Sequence, residues 1–305
     1  HYTTLLFRHL RRRHVVRFLS LRRQYPRWLY PGRSDRDTSE FIIQEPGTEQ
    51  ILDPANPWTW WQAARRARGF RPDLIILPWW VTFWAPCYAT MLPLAKWRAK
   101  TWVLYLCHNV TPHESRPYDR WLTRWALRQG DLFIVHSVQD RTNLLTLLPQ
   151  ARVRRTVHPT YDVFRRYDIS KEEARAQLGV AEDTLLFFGF VRPYKGVQHL
   201  IAAMPYILAR RDVHLWIVGE IWKDAARYRA QIAQLGLEER VHMVDEYISN
   251  EQVGVYFAAA DAVILPYISG TGSGIAQIAF GYERPIVATR VGDLPEIVEE
   301  GETGF

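Results

Sequence analysis

Residues Thr184 to Gly196 read Thr-Leu-Leu-Phe-Phe-Gly-Phe-Val-Arg-Pro-Tyr-Lys-Gly, and an apolar-periodic run from Val197 to Arg210 follows directly. The first five residues form a short apolar stretch of the kind found in strands buried on both faces, and the periodic run reads as a helix. Strand therefore passes to helix through one short loop. Outward from this point the same grammar repeats. A helix over Lys171–Leu178 closes on Gly179, and strands at Val213–Val218, Val241–Met243, Ala262–Leu265 and Pro285–Ala288 alternate with helices at Ala225–Leu235, Gln252–Ala259 and one beginning at Ile275. Strands alternating with helices in this way predict a parallel sheet covered on both faces.

The N-terminal half follows the same rule. A helical pattern over Thr3–Arg13 precedes a strand at His14–Leu21, so the chain opens on the helix of a strand-helix-strand unit whose first strand is expected to be absent. After a polar, proline-bearing loop over Tyr25–Asn56, helices at Trp58–Arg68, Ala85–Lys96 and Tyr118–Gln129 lead to strands at Leu74–Leu77, Trp102–Leu106 and Leu132–Val135. A polar loop over His158–Asp168 reads as a hinge. A length of 305 residues suits two α/β domains, placed at 1–163 and 164–305.

Composition narrows the class. Hydrophobic residues make up 48% and charged residues 23%, which excludes a disordered chain. Cys87 and Cys107 sit in apolar runs and cannot build a disulfide framework, so a reducing cytoplasm fits best. The uncharged stretch Leu74–Ala95 is long enough to cross a bilayer, which takes about 20 residues, but Pro78, Pro86 and Pro93 would interrupt a spanning helix. A buried strand followed by a packed helix is the reading taken. The net charge of +7 is concentrated in the first forty residues, at Arg8, Arg11, Arg12, Arg13, Arg17, Arg22, Arg23, Arg27, Arg33 and Arg36. Such a field favours an anionic partner, either a membrane surface or a phosphate-bearing substrate, with a solvated helix face as the alternative. No nucleic-acid recognition motif accompanies these arginines.

Parallel sheets bind ligands beyond the carboxyl ends of their strands, which directs attention to two loops. In the first, Gly189 allows close backbone approach, the following helix start offers N–H groups, and Arg192 and Lys195 bring two cations to one place: a diphosphate site. The second loop, Pro266-Tyr267-Ile268-Ser269-Gly270-Thr271-Gly272-Ser273-Gly274, feeds small residues into a helix N-terminus, with hydroxyls from Ser269, Thr271 and Ser273. A dehydrogenase-type nucleotide loop is the rival. Gly270, Gly272 and Gly274 give GxGxG where that loop needs GxGxxG.

Five segments in order, FFGFVRPYKG, LWIVGE, YFAAADAVILPY, the glycine-serine loop and RPIVATRVGDLPEIVEEGETGF, resemble the donor-binding domain of the retaining glycosyltransferases of family 4 (group 1), which have the GT-B fold. HNVTPHE and DLFIVHS in the N-terminal half are similar more diffusely. The resemblance implies two doubly wound, Rossmann-like parallel-sheet domains facing a central cleft, with this chain truncated at both ends. It also implies transfer of a sugar from a nucleotide diphosphate sugar to a glycan or lipid-linked acceptor with retention of configuration. Arg192 and Lys195 would hold the diphosphate and stabilise its developing charge with no metal and no cofactor. His108 would face the sugar across the cleft, while Gly189, Ser269, Thr271, Ser273, Gly274 and Ile275 would complete the donor site.

The chain departs from the family in one respect. The positions of two customary glutamates fall at Gly270 and Ile278, which resembles a sub-branch with a Ser/Gly loop. Gln277 and Glu283 are the nearby polar candidates. Trp79, Trp80 and Trp84 are read either as core or as lining for the acceptor. The expected setting is the cytoplasm, at the inner face of the plasma membrane, with peripheral contact to anionic lipid and none to nucleic acid. Two other readings stay open: a non-catalytic nucleotide-sugar-binding scaffold, and a nucleotide-sugar epimerase.

Overall fold

A computed structural model of the chain describes residues 2–22, 39–40, 43–96, 101–111, 116–166, 169–270 and 272–305. It divides into two compact units, with the boundary between Val157 and His158; Ser39 and Glu40 belong with the second.

The first unit runs α1 (Tyr2–Leu10), β1 (Phe18–Leu21), β2 (Thr48–Leu52), α2 (Pro57–Phe70), β3 (Leu74–Trp79), α3 (Ala85–Ala95), β4 (Trp102–Cys107), α4 (Asp119–Leu127), β5 (Leu132–Val135), α5 (Val138–Leu147) and β6 (Val153–Arg155). β1 and β2 form a parallel pair, and β3-β4-β5-β6 form a parallel sheet in that order. The strand expected at His14–Leu21 begins only at Phe18, and the expected polar loop contains β2. The first three residues of β2, Thr48, Glu49 and Gln50, are polar and not buried, so the apolar signal is confined to Ile51 and Leu52.

The uncharged stretch Leu74–Ala95 is a strand, a 3-10 turn at Thr82–Trp84 and α3, and no described helix is long and apolar enough to cross a membrane. Pro78 lies inside β3 and Pro86 in the first turn of α3, where its missing N–H costs little. Pro93 lies inside α3 and leaves the Ala89 carbonyl without its helical donor; the Gln129 side-chain amide supplies one at 2.9 Å. Trp79 and Trp84 are each 1% exposed and pack with Tyr88, Tyr105 and Phe133, so they are core and not an acceptor lining; Trp80 is half-buried against the same cluster. The arginine field is partly neutralised within the unit: Arg8 and Arg11 pair with the buried Glu45, and Arg17 and Arg66 with Glu49.

The second unit runs α6 (Lys171–Leu178), β7 (Asp183–Phe188), α7 (Val197–Leu208), β8 (Val213–Val218), α8 (Ala225–Gln234), β9 (Val241–Val244), α9 (Asn250–Ala259), β10 (Ala262–Leu265), α10 (Gly274–Gly281), β11 (Ile286–Ala288) and α11 (Leu294–Ile297). All five strands are parallel, in the order β11-β10-β7-β8-β9. From β7 the chain steps outward through β8 and β9, then returns to the other side of β7 with β10. The order therefore reverses between β7 and β10, where doubly wound sheets open a crevice at their carboxyl edge. Asp261, at the foot of β10, accepts hydrogen bonds from Lys171 and Arg175 of α6 and, at 2.7 Å, from the Thr184 amide of β7. The segment expected as a hinge is docked within this unit: Phe164 is buried, the Tyr161 amide donates to the Gln277 carbonyl at 3.2 Å, and the Tyr282 hydroxyl donates to the Phe164 carbonyl.

Candidate functional site

The two loops singled out in the sequence leave β7 and β10, the strands on either side of the reversal. They are joined main chain to main chain. The Ile268 amide donates to the Tyr194 carbonyl at 2.7 Å, and a Cβ placed on Gly196 would stand 1.9 Å from the Pro266 carbonyl oxygen. Gly196 also has φ +70, so both backbone conformation and space demand glycine there.

Gly189, Lys195 and Ile275 meet at one spot. A Cβ on Gly189 would lie 3.2 Å from Ile275 Cδ1 and 3.6 Å from Lys195 Nζ. The ammonium of Lys195 lies 5.2 Å from the ring centroid of Tyr267 and 6.0 Å from that of Phe187. The Tyr267 hydroxyl is 3.2 Å from Ser273 Oγ, which accepts from the Ala276 amide at 3.4 Å and so caps α10. Asp293 Oδ2 would be 3.1 Å from a Cβ on Gly272, so the turn passes close against the buried start of α11. Ser269, Gly272 and Gly274 are exposed, and Thr271 lies outside the described residues.

Arg192 meets the loop after β8. Its guanidinium carbon stands 3.8 Å from the ring centroid of Trp222, in the loop after β8, and its Nε is buried with no hydrogen-bond partner. Among the described residues no hydrogen bond, ion pair or ring contact joins Arg192 to the turn 269–274. Neither Arg192 nor Lys195 has a carboxylate partner among the described residues.

His108 belongs to the first unit. It follows β4, and its amide donates to the Trp79 carbonyl at 2.8 Å. Its ring stacks on His136 at 5.5 Å, and Tyr2 stands edge-on to both rings, at 4.8 and 5.5 Å. Burial raises the Tyr2 phenol above its ordinary range. Neither His136 nor Tyr2 was expected from the sequence. The signal for His136 is register: Cys107 pairs with Val135, so the residues that follow are neighbours at the same sheet edge.

The candidates for the ribose are placed elsewhere. Gln277 is buried within α10, and Glu283 is exposed beyond that helix's far end, paired with Arg165 at 3.1 Å. Trp222 is the residue of this region that the sequence reading missed. No spacing rule pointed to it.

Residues 1–163, more than half of the chain, match the sequence profile described as glycosyltransferase family 4. The chain belongs to glycosyltransferase family 4. Residues 182–305 of this family 4 chain match the profile described as glycosyl transferases group 1. Among curated proteins it is similar to the D-inositol 3-phosphate glycosyltransferase of Corynebacterium efficiens, 35% identical over 146 residues, covering 45% of this chain and 34% of that protein. The D-inositol 3-phosphate glycosyltransferase 1 of Catenulispora acidiphila is 30% identical over 193 residues, covering 59% and 46%. The family 4 chain thus spans about a third to a half of the length of these relatives. Among solved structures, sucrose-phosphate synthase from Thermosynechococcus elongatus superposes with a TM-score of 0.65 at 21% identity, covering 90% of this chain and 73% of that one. Anabaena Alr3699/HepE, solved in complex with UDP-glucose, gives 0.66 at 21% identity, covering 85% and 71%. At these identities the likeness carries the architecture, the GT-B fold.

Proposed function

We propose that the chain is the core of a glycosyltransferase that moves a sugar from a nucleotide diphosphate sugar to a glycan or lipid-linked acceptor, with retention at the anomeric carbon. One observation carries the donor assignment: at the strand-order reversal, an ammonium without a carboxylate partner among the described residues meets a bare glycine backbone, beside a helix whose N-terminus is capped by Ser273. In this reading Lys195 and Arg192 bind the diphosphate and stabilise the charge that builds on it as the glycosidic bond breaks; fixed cations do this without a metal ion. Amides of Ser273, Gly274 and Ile275, with Gly189 and the Ser269 and Thr271 hydroxyls, complete the donor contacts. His108 is assigned to the sugar on the family resemblance. The UDP-glucose bound by Alr3699/HepE supports a nucleotide-sugar donor.

Peripheral contact with an anionic membrane at the cytoplasmic face belongs to the same reading. It is supported by α2, α3 and α4, which pack side by side. Their one acidic residue, Asp119, is buried and bonded to Thr82, while Trp58, Trp61, Trp121, Arg65, Arg120 and Arg124 are exposed.

Titration with UDP- and GDP-sugars tests the donor site. Charge-assisted hydrogen bonds contribute roughly 1.5 to 3 kcal/mol, so Lys195→Ala and Arg192→Ala should each weaken binding about 10- to 150-fold. Unchanged affinity in Lys195→Ala would remove the assignment.

A further inference from the structure

We infer that Trp222 is a positioning residue of the donor site, whose indole holds the Arg192 guanidinium ready for phosphate. The inference rests on the diphosphate reading of the loop 189–196.

The loops after β7 and β8 are zipped together. The Gly189 amide donates to the Val218 carbonyl at 2.9 Å, the Val191 amide to the Glu220 carbonyl at 2.9 Å, and the Trp222 amide to the Val191 carbonyl at 3.3 Å. Val191 and Ile221 form a parallel bridge, and the Ile221 amide donates to Asp245 Oδ1 at 2.9 Å, tying the segment to the end of β9. Gly219 permits this approach: with φ +131, a Cβ there would stand 2.5 Å from the Gly189 carbonyl oxygen. The register then fixes which side chains meet. Residue 222 falls beside residue 192, and the guanidinium lies 3.8 Å from the indole centroid.

An arginine head normally keeps its orientation through hydrogen bonds or an ion pair, and Arg192 has neither among the described residues. The indole is the contact that orients it. Stacking engages the face of the guanidinium and leaves its in-plane N–H groups directed along the edge, the geometry for bidentate bonding to phosphate oxygens. A lysine at this position could offer a charge but not a stacked plane. Trp222 itself is 39% exposed, so its burial is incomplete and folding does not depend on it as on a core residue.

The full chain is titrated calorimetrically with UDP and GDP, and with UMP and GMP as monophosphate controls. The diphosphate reading is checked first: at least one diphosphate binds the parent more tightly than its monophosphate, and Lys195→Ala weakens it. Trp222→Leu should then weaken that diphosphate about tenfold, while Trp222→Phe stays within about threefold of the parent. Trp222→Leu added to Arg192→Ala should bring no further loss. If Lys195→Ala weakens binding but Trp222→Leu does not, or if its loss persists in the Arg192→Ala background, the positioning role falls and the donor site stands. If neither diphosphate binds the parent, both fall. Unliganded protein gives a second readout: the Arg192 Nε–H resonance should be protected from exchange in the parent and in Trp222→Phe, and exposed in Trp222→Leu. Identical spectra in the parent and Trp222→Leu would overturn the inference.

Discussion

At the scale of the residue, two glycines share a conformation and differ in surroundings. Gly196 has φ +70 with the Pro266 carbonyl oxygen 1.9 Å from where a Cβ would stand; Gly179 has φ +67 with nothing within 4 Å. Alanine at Gly179 meets only the left-handed backbone penalty, about 1 to 2 kcal/mol. Alanine at Gly196 meets that penalty and a main-chain collision as well. Gly196→Ala should cost at least about 2 kcal/mol more than Gly179→Ala in urea unfolding, and should weaken nucleoside diphosphate binding, which Gly179→Ala leaves unchanged. Equal losses of stability would show that the loops separate easily. The meeting of Gly189, Lys195 and Ile275 was legible because each lies in a loop, or in the first turn of the helix after it, at a strand's carboxyl end. The stacking of Arg192 on Trp222 and of His108 on His136 was not. Those rings meet through inter-strand register, which no local motif encodes.

At the scale of the element, Pro93 and Gln129 form a testable pair. Gln129→Ala leaves the Ala89 carbonyl without the donor that Pro93 cannot supply, at a cost of about 1 to 2 kcal/mol. In a Pro93→Ala background the helix provides its own amide, and the same change should be nearly neutral; thermal unfolding of the four proteins measures the coupling. Strands β7, β8 and β10 were readable because each ends in a run of at least four apolar residues, Leu185–Phe188, Leu215–Val218 and Ala262–Leu265, as burial on both faces demands. By contrast β2, α5 and β6 escaped. The first opens on polar residues, α5 (VQDRTNLLTL) mixes polar side chains along its whole length, and two of the three residues of β6 are exposed arginines.

At the scale of the whole molecule, acid should destabilise the fold in two steps. Desolvation, reinforced by His214, lowers the His242 pKa, so the unfolded chain takes up that proton first. Stability from this group is complete above the ordinary histidine value near 6.5 and declines as pH falls toward the folded value. Asp261 follows lower down. Desolvation alone would raise its pKa, but the Lys171 hydrogen bond, the Thr184 amide and the charges of Lys171 and Arg175 outweigh it, and the net shift is downward. Its contribution is therefore complete above about 4 and lost as pH falls through its folded value. Urea midpoints from pH 8 to pH 3 should show the upper step reduced in His242→Gln, with His158, whose pKa is also lowered by burial, supplying the remainder, and the lower step reduced in Asp261→Asn.

The arginine- and tryptophan-bearing helices make a prediction at the same scale. The chain should sediment with vesicles containing 30% phosphatidylglycerol and not with pure phosphatidylcholine. Replacing Trp58 and Trp121 with alanine should weaken the association severalfold, and raised salt should abolish it. Equal partition onto both vesicle types would argue against an electrostatic membrane contact.

The close passage of Gly196 over the Pro266 carbonyl has a consequence for how this molecule can change. The gauge between the two loops is set first by backbone touching backbone, with the Ile268 side chain next, 3.5 Å from where a Cβ on Gly196 would stand. Substitutions at an exposed rim position such as Ser269 can therefore alter what the walls present while the gauge stays the same. Under the proposed function, preference among donors is free to drift there at little expense to folding.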